Sequence, residues 1–312
     1  MRTRLKRLTT RSIVALKRRS DVVIGRLTVL LLKGLRLTDP QRFSDFAAGV
    51  ARTIGPLLPA HKVGRANLVA AFPEKAPEEI ERILAGVWDN LGRYGAEFAN
   101  LDRLWDYRRD RPNIGRIQVA PILDERFDQM RDDGKPALIF AAHLANWEVP
   151  ALAAKAGGLP VAVLYRRPNL SAVADAVIKL RAGSMGLMIA GGPEAPFKIA
   201  DALRQGLHVA MLVDQHYGHG VEVTFFGRTC KANPMLARLA RHFDCPIYGT
   251  RVIRLADHRL GLDLTEPIDP PRNGNGDVDI KATMQMITSV IEGWVREHPE
   301  QWLWLHRRWR LK

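Results

Sequence analysis

From about residue 115 onward the chain repeats one pattern: a short apolar run, an amphipathic stretch, then another apolar run. The runs are 137–142, 160–165, 186–190, 207–213, 221–226 and 246–253, and 259–265 alternates in the manner of a half-exposed strand. Runs this short suit buried strands better than helices. Between them, 145–157, 170–184, 194–205 and 232–243 carry helical periodicity. A last amphipathic helix at 278–297 presents Met284, Ile287, Ile291 and Trp294. Strands separated by helices need crossover connections, so the pattern predicts an α/β fold with a mixed, partly parallel sheet flanked by helices. Upstream, residues 38–110 read as mainly helical, with apolar positions at Phe43, Phe46, Ala47, Val50 and Ile54 and again from Ile80 to Leu91. Pro77-Glu78-Glu79 supplies a helix start. An N-terminal helical region therefore precedes the α/β part at 115–312, and 38–312 forms one domain.

Charge narrows the class of partner. Forty-seven Lys and Arg against 33 Asp and Glu leave a formal net charge of +14. Such a surface attracts polyanions: nucleic acid, anionic lipid headgroups or an acidic protein. Nucleic-acid binding calls for a recognisable motif with basic residues grouped on one element, and the sequence has none. Cys230 and Cys245 form no disulfide framework and read as small core residues in a reduced, cytosol-facing chain. Basic residues crowd the start: Arg2, Arg4, Lys6, Arg7, Arg11, Lys17, Arg18 and Arg19 precede the first acid, Asp21. The apolar stretch that follows is interrupted by Arg26, Lys33 and Arg36. A spanning helix needs about 20 mostly apolar residues. Residues 1–37 are thus expected to form a basic amphipathic segment lying on an anionic membrane surface. A soluble helix with its basic face outward remains the plain alternative.

The chemistry gathers at Ala137-Leu-Ile-Phe-Ala-Ala-His143-Leu-Ala-Asn146-Trp147-Glu148. A buried strand ends, a histidine follows at once, and a helix is expected from Asn146 as N-cap, with Glu148 in its first turn. Five residues apart on one helix, His143 and Glu148 would face different ways. With His143 on the preceding loop, their side chains can converge. A carboxylate accepting from one ring nitrogen fixes the tautomer and leaves the other nitrogen to take a proton from a hydroxyl. Spacing alone leaves His143 equally able to cap the helix or to be a satisfied strand-end residue.

His143-x4-Glu148 resembles the HxxxxD/E signature of the glycerolipid acyltransferase superfamily, and His-Leu-Ala-Asn-Trp-Glu resembles the form carried by the lipid A biosynthesis late acyltransferases. Further segments agree in order: Leu164-Tyr165-Arg166-Arg167-Pro168-Asn169, Arg181 before Gly183-Ser184, Val213-Asp214-Gln215-His216-Tyr217-Gly218, a strand ending Phe225-Phe226-Gly227, and Pro299 to Trp309. The resemblance covers roughly residues 20–312. Two departures stand out. Members often carry a clearer N-terminal transmembrane helix, and the family's glycine after His-Phe is Ala145 here, a small-for-small change read as harmless.

The resemblance implies transfer of a fatty acyl chain from an acyl carrier protein thioester to a hydroxyl of a lipid A precursor, at the cytoplasmic face of the bacterial inner membrane. On that reading His143 is the base, Glu148 orients it and Arg181 meets the oxyanion. Arg166 and Arg167 bind headgroup phosphates, and Asn146 and Tyr165 join them on the substrate side. Asp214 holds Arg181 or another basic residue, and Arg307 and Arg308 meet phosphate or carrier protein. No acyl-enzyme, metal or cofactor is implied, and no Gly-x-Ser-x-Gly elbow is present. The alternatives are an acyltransferase acting on a lysophospholipid or glycolipid, with coenzyme A as a possible donor, a thioesterase, and a non-catalytic basic membrane- or nucleic-acid-binding protein.

Overall fold

A computed structural model gives the architecture and describes residues 34, 38–112, 114–166, 178 and 181–309. The expectation for residues 1–37 therefore falls almost wholly outside the described residues, as does most of the helix expected at 170–184.

Three helices open the described chain: α1 (Pro40–Ile54), α2 (Pro59–Ala71) and α3 (Pro77–Ala99). Each begins on proline, whose fixed φ and missing N–H suit a first helical position. Asp39 caps α1 by accepting from the Arg42 N–H at 2.9 Å. α1 buries Ser44 and Ala48 against α3 so closely that a Cβ on Gly92 would stand 2.5 Å from the Ala47 carbonyl oxygen. On the other side of α3, Ile80, Leu84 and Val87 enter the same core as Leu138, Phe140 and Ile247 of the sheet. The helical region and the α/β part thus share a hydrophobic core.

The α/β part runs β1 (Ile117–Val119), α4 (Pro121–Asp132), β2 (Leu138–Ala141), α5 (Val149–Ala156), β3 (Val161–Tyr165), β4 (Leu187–Ala190), α6 (Ala195–Arg204), β5 (His208–Leu212), β6 (Val221–Phe225), β7 (Arg228–Ala232), α7 (Met235–Phe243), β8 (Ile247–Arg254), β9 (Leu260–Leu264) and α8 (Ile280–Glu297). Seven strands form one sheet in the order β1-β9-β8-β2-β5-β3-β4. Strands β8, β2, β5, β3 and β4 are mutually parallel. β9 runs against β8 and carries β1 parallel to itself at the edge. The predicted mixed, partly parallel sheet is present. β1 and β7 were not anticipated: one is only three residues long, and the other is polar apart from Cys230 and Ala232. β7 is the return strand of a hairpin whose turn residues Phe226 and Gly227 both have positive φ, the conformation of a two-residue type I′ turn.

Side-chain alternation gives the sheet two unlike faces. Leu138 and Phe140 of β2 point into a dense core with Met284, Ile287 and Trp294 of α8, and the Phe140 and Trp294 rings stack at 5.6 Å. Ile139 and Ala141 point the other way, beneath α4 and α5. There the sheet does not meet a solid layer; it borders a cavity.

Candidate active site

Register brings the two central residues together. β2 and β5 pair in parallel with Ala141 opposite Leu212. Two residues further along each strand, His143 and Asp214 arrive side by side at the carboxyl end of the sheet, where α/β folds build their sites. His143 Nδ1 lies 2.7 Å from Asp214 Oδ1, and the His143 backbone N–H donates to Oδ2 at 2.8 Å. Trp302 Nε1 donates to the same Oδ2 at 2.7 Å. Burial alone would push the Asp214 carboxyl up, yet the His143 imidazole and the side-chain and backbone hydrogen bonds from His143 hold it well below the usual carboxylate range. An anionic Asp214 places the ring proton on Nδ1 and leaves Nε2 as an acceptor. Gln215 Nε2, 3.3 Å from His143 Nε2, is its donor in that tautomer.

Glu148 is occupied elsewhere. It accepts from Tyr94 Oη at 3.0 Å and forms an ion pair with Arg181 through Nη2 and, at 3.2 Å, Nε. The sequence expectation that Glu148 orients the imidazole therefore changes: the carboxylate on the ring is Asp214. The cause is the path of the chain between them. Ala145 takes a left-handed φ of 45°, its N–H donates to the Gln301 carbonyl at 3.0 Å, and Leu144 bridges to Trp302. This kink delays α5 until Val149, with Glu148 as its N-cap residue, and turns the carboxylate toward α3. It also corrects the reading of Ala145. A left-handed Ala is strained by about 1–2 kcal/mol where glycine is not. Burial and Glu148 hold the Tyr94 phenol well above its ordinary value, so it stays a donor. Burial would lower Arg181, but Glu148 reverses this and raises it.

Both groups border one cavity of about 820 Å³, within the range of small-molecule sites. His143, Glu148, Arg181, Gln215, Tyr165 and Arg166 line its upper end at the strand carboxyl termini. Below, small residues keep it hollow: Ala141 and Ala210 on the sheet and Ala151 and Ala154 on α5. One side wall is polar, where Tyr107 donates to Asp124 and Arg109 pairs with Asp124 and Asp128.

The structure thus joins His143, Glu148, Arg181, Tyr165 and Arg166 at one opening, with Arg166 exposed. Arg167 lies outside the described residues. Three candidates placed on the substrate side belong elsewhere. Asp214, 3% exposed, sits beneath His143 and orients it. It does not pair with Arg181. Asn146 is wholly buried, donating to Glu97 Oε2 at 2.9 Å and accepting from the Glu148 N–H at 3.2 Å. It is not the helix N-cap. Arg308 is 2% exposed, lies over the Phe225 ring and donates to the Lys231 carbonyl. Buried to that degree, its guanidinium cannot meet a headgroup. Arg307 is exposed and away from the cavity lining.

Sequence reading missed Tyr94, Gln215 and Trp302 as site residues. The Trp302 indole N–H is committed to Asp214. Also unforeseen is a buried polar clasp behind the site. Arg254 pairs with Glu97 at 2.6 Å and donates to Asn90, while Gln301 exchanges hydrogen bonds with the Arg254 backbone. One signal for Asp214 was present: the runs 137–142 and 207–213 each end at once in a titratable residue. Parallel pairing aligns such ends.

Fold and site define an α/β enzyme with a carboxylate-oriented histidine at the opening of an apolar cavity. Residues 17–311 match the family described as bacterial lipid A biosynthesis acyltransferase. The chain belongs to that family and is an O-acyltransferase. It is 23% identical over 287 residues to the "Lipid A biosynthesis acyltransferase 2" of Shigella flexneri, covering 88% of this chain and 86% of that one. It is 26% identical over 258 residues to the "Lipid A biosynthesis palmitoleoyltransferase" of Escherichia coli strain K12, covering 80% and 78%.

Proposed function

We propose that the protein moves a fatty acyl chain from an acyl carrier protein thioester to a hydroxyl of a lipid A precursor, with His143 as general base. The observation that carries this reading is the imidazole itself. Its Nδ1 is held by buried Asp214, and the ring borders an 820 Å³ apolar cavity suited to an alkyl chain. His143 Nε2 takes the hydroxyl proton as the oxygen attacks the thioester carbonyl, a service worth about 10²–10⁴-fold. The tetrahedral intermediate then collapses, the carbon–sulfur bond breaks, and the imidazolium returns the proton to the departing thiolate. No covalent acyl-enzyme forms. Arg181 commits Nε and Nη2 to Glu148 and keeps further N–H donors for the oxyanion, each placed donor contributing about 3 kcal/mol. Glu148 and Tyr94 hold that guanidinium in place. Arg166 at the rim, with Arg167 beside it in sequence, meets a headgroup phosphate through the fork of the guanidinium.

The acceptor and its setting fit peripheral attachment to the cytoplasmic face of the inner membrane. Among the described residues no helix is long and apolar enough to cross a membrane. Opposite the Ser44/Ala48 seam, however, Phe46, Val50 and Ile54 lie exposed along α1, and Leu57 follows at 81% exposure. The strongly basic residues 1–19 precede this stripe in the sequence, and each basic residue near an anionic surface adds about 1 kcal/mol. The test is mass spectrometry of lipid A from cells with and without the gene. Loss of one acyl chain is the expected result. Unchanged lipid A alongside altered phospholipids or glycolipids would move the acceptor to those lipids.

A further inference from the structure

We infer that Phe127 on α4 is the floor of the cavity and sets the longest acyl chain the enzyme accepts. This rests on the cavity's being the acyl site, as proposed above.

Topology separates the two ends. His143, Gln215 and Arg166 follow the carboxyl ends of β2, β5 and β3. At the amino ends of those parallel strands lie Val161, which opens β3, and Leu159 just before it. Antiparallel β9 finishes there too, with Leu264. Along β2 the run from Ile139 to His143 spans about 13 Å at the rise of an extended strand. α4 closes that lower end. It leaves β1 and returns to the start of β2, and it turns Leu123, Phe127 and Met130, spaced four and three residues apart, toward the cavity.

Phe127 is the movable member of this set. Leu123 and Met130 are 5% and 2% exposed and locked in the core, whereas Phe127 is only half-buried. Its ring lies over the turn that ends α5. A Cβ on Gly157 would stand 2.3 Å from the ring's Cε1 and 2.7 Å from Cζ, so glycine at that turn is what lets the ring lie across the base. Around it stand strand residues fixed by pairing, such as Ile139 and Val161, buried core side chains, such as Leu123 and Leu159, and the small residues Ala156 and Gly157, which present no large side chain. A chain descending from the thioester therefore meets the Phe127 ring last.

The experiment measures binding of saturated fatty acids of increasing length to the full-length protein, by displacement of a fluorescent fatty acid. Transfer rates with thioesters of the same lengths are measured in parallel. In the wild type, affinity should rise about fourfold per methylene, the equivalent of ~0.8 kcal/mol per buried CH2, and then stop rising at one length. Phe127→Ala should extend the rise by about two methylenes or more, and Phe127→Leu, the gentler change, by less. Ala154→Leu, one turn of α5 nearer His143, should shorten it. Thermal melts establish that each variant is folded. A length limit in the wild type that both Phe127 variants leave unmoved overturns the assignment of the floor while the acyl reading stands. Failure of the wild type to bind any fatty acid overturns the acyl reading itself.

Discussion

Asp214 and Glu148 are both buried carboxylates beside one cavity, and they do opposite work. Asp214 has a histidine, a backbone amide and an indole for partners, lies out of reach of the cavity, and acts only through His143. Glu148 lines the cavity itself and has an arginine and a phenol for partners. One carboxylate holds a histidine; the other anchors a cation. The residue five positions from the histidine is thus the partner of Arg181, and the residue 71 positions away is the partner of the histidine. Separation in sequence says little about which acid serves which base once parallel strands align their ends.

Substitutions can break this division of labour. His143→Ala should cost the most, about 10²–10⁴-fold in transfer rate with the fold intact. Steady-state turnover beside a thermal melt checks it. Glu148→Gln should lower turnover by about 10²-fold and, unlike His143→Ala, also destabilise the protein by about 3 kcal/mol, because it strips Arg181 of its buried counter-charge. Denaturant unfolding reads that difference, and a variant as stable as wild type would dissolve the distinction. Tyr94→Phe removes one hydrogen bond to Glu148 while keeping the ring stacked 3.9 Å from Trp147. A loss of about tenfold or less in turnover is expected, consistent with about 1 kcal/mol.

Acid should separate the regions too. Burial lowers the pKa of His306 and of His208. The unfolded chain binds those protons near pH 6.5 and the folded chain only at lower pH, so their contribution is lost as pH falls below about 6.5. Asp214 is depressed in the folded state, so its contribution holds above the unfolded value near 4 and is lost as pH falls below it. Denaturant midpoints measured from pH 7.5 to 3 should decline in two stages. A flat profile between pH 7.5 and 5.5 would contradict the burial of the two histidines. Smallest of all is Ala145→Gly. Relief of left-handed strain opposes glycine's backbone entropy and the lost methyl burial, leaving a net change within about 1 kcal/mol.

Much of the fold was legible in the sequence because short apolar runs admit few alternatives to buried parallel strands. The His143 opening was legible too, since a strand that ends in histidine delivers it to the sheet's active edge. Asp214 appeared in the sequence without its role, because a role set by register needs the strand order, which periodicity does not carry. Trp302 and Gln301 escaped for a related reason: the C-terminal segment returns to the His143 loop through backbone bonds such as Leu303 N–H to the His143 carbonyl at 3.0 Å. No local pattern announces such bonds. Asn146 and Arg308 were misassigned because polar residues inside a motif look like ligands until burial shows them satisfied by the protein itself.

The account depends most on the pairing of His143 with Asp214, and Asp214→Asn tests it. Turnover of the folded variant should fall by about 10²-fold or more, as loss of the orienting carboxylate leaves the imidazole in the wrong tautomer. Substrate affinity should change little, because Asp214 does not reach the cavity. Turnover within a few-fold of wild type, with Glu148→Gln as damaging as His143→Ala, would hand the histidine back to Glu148.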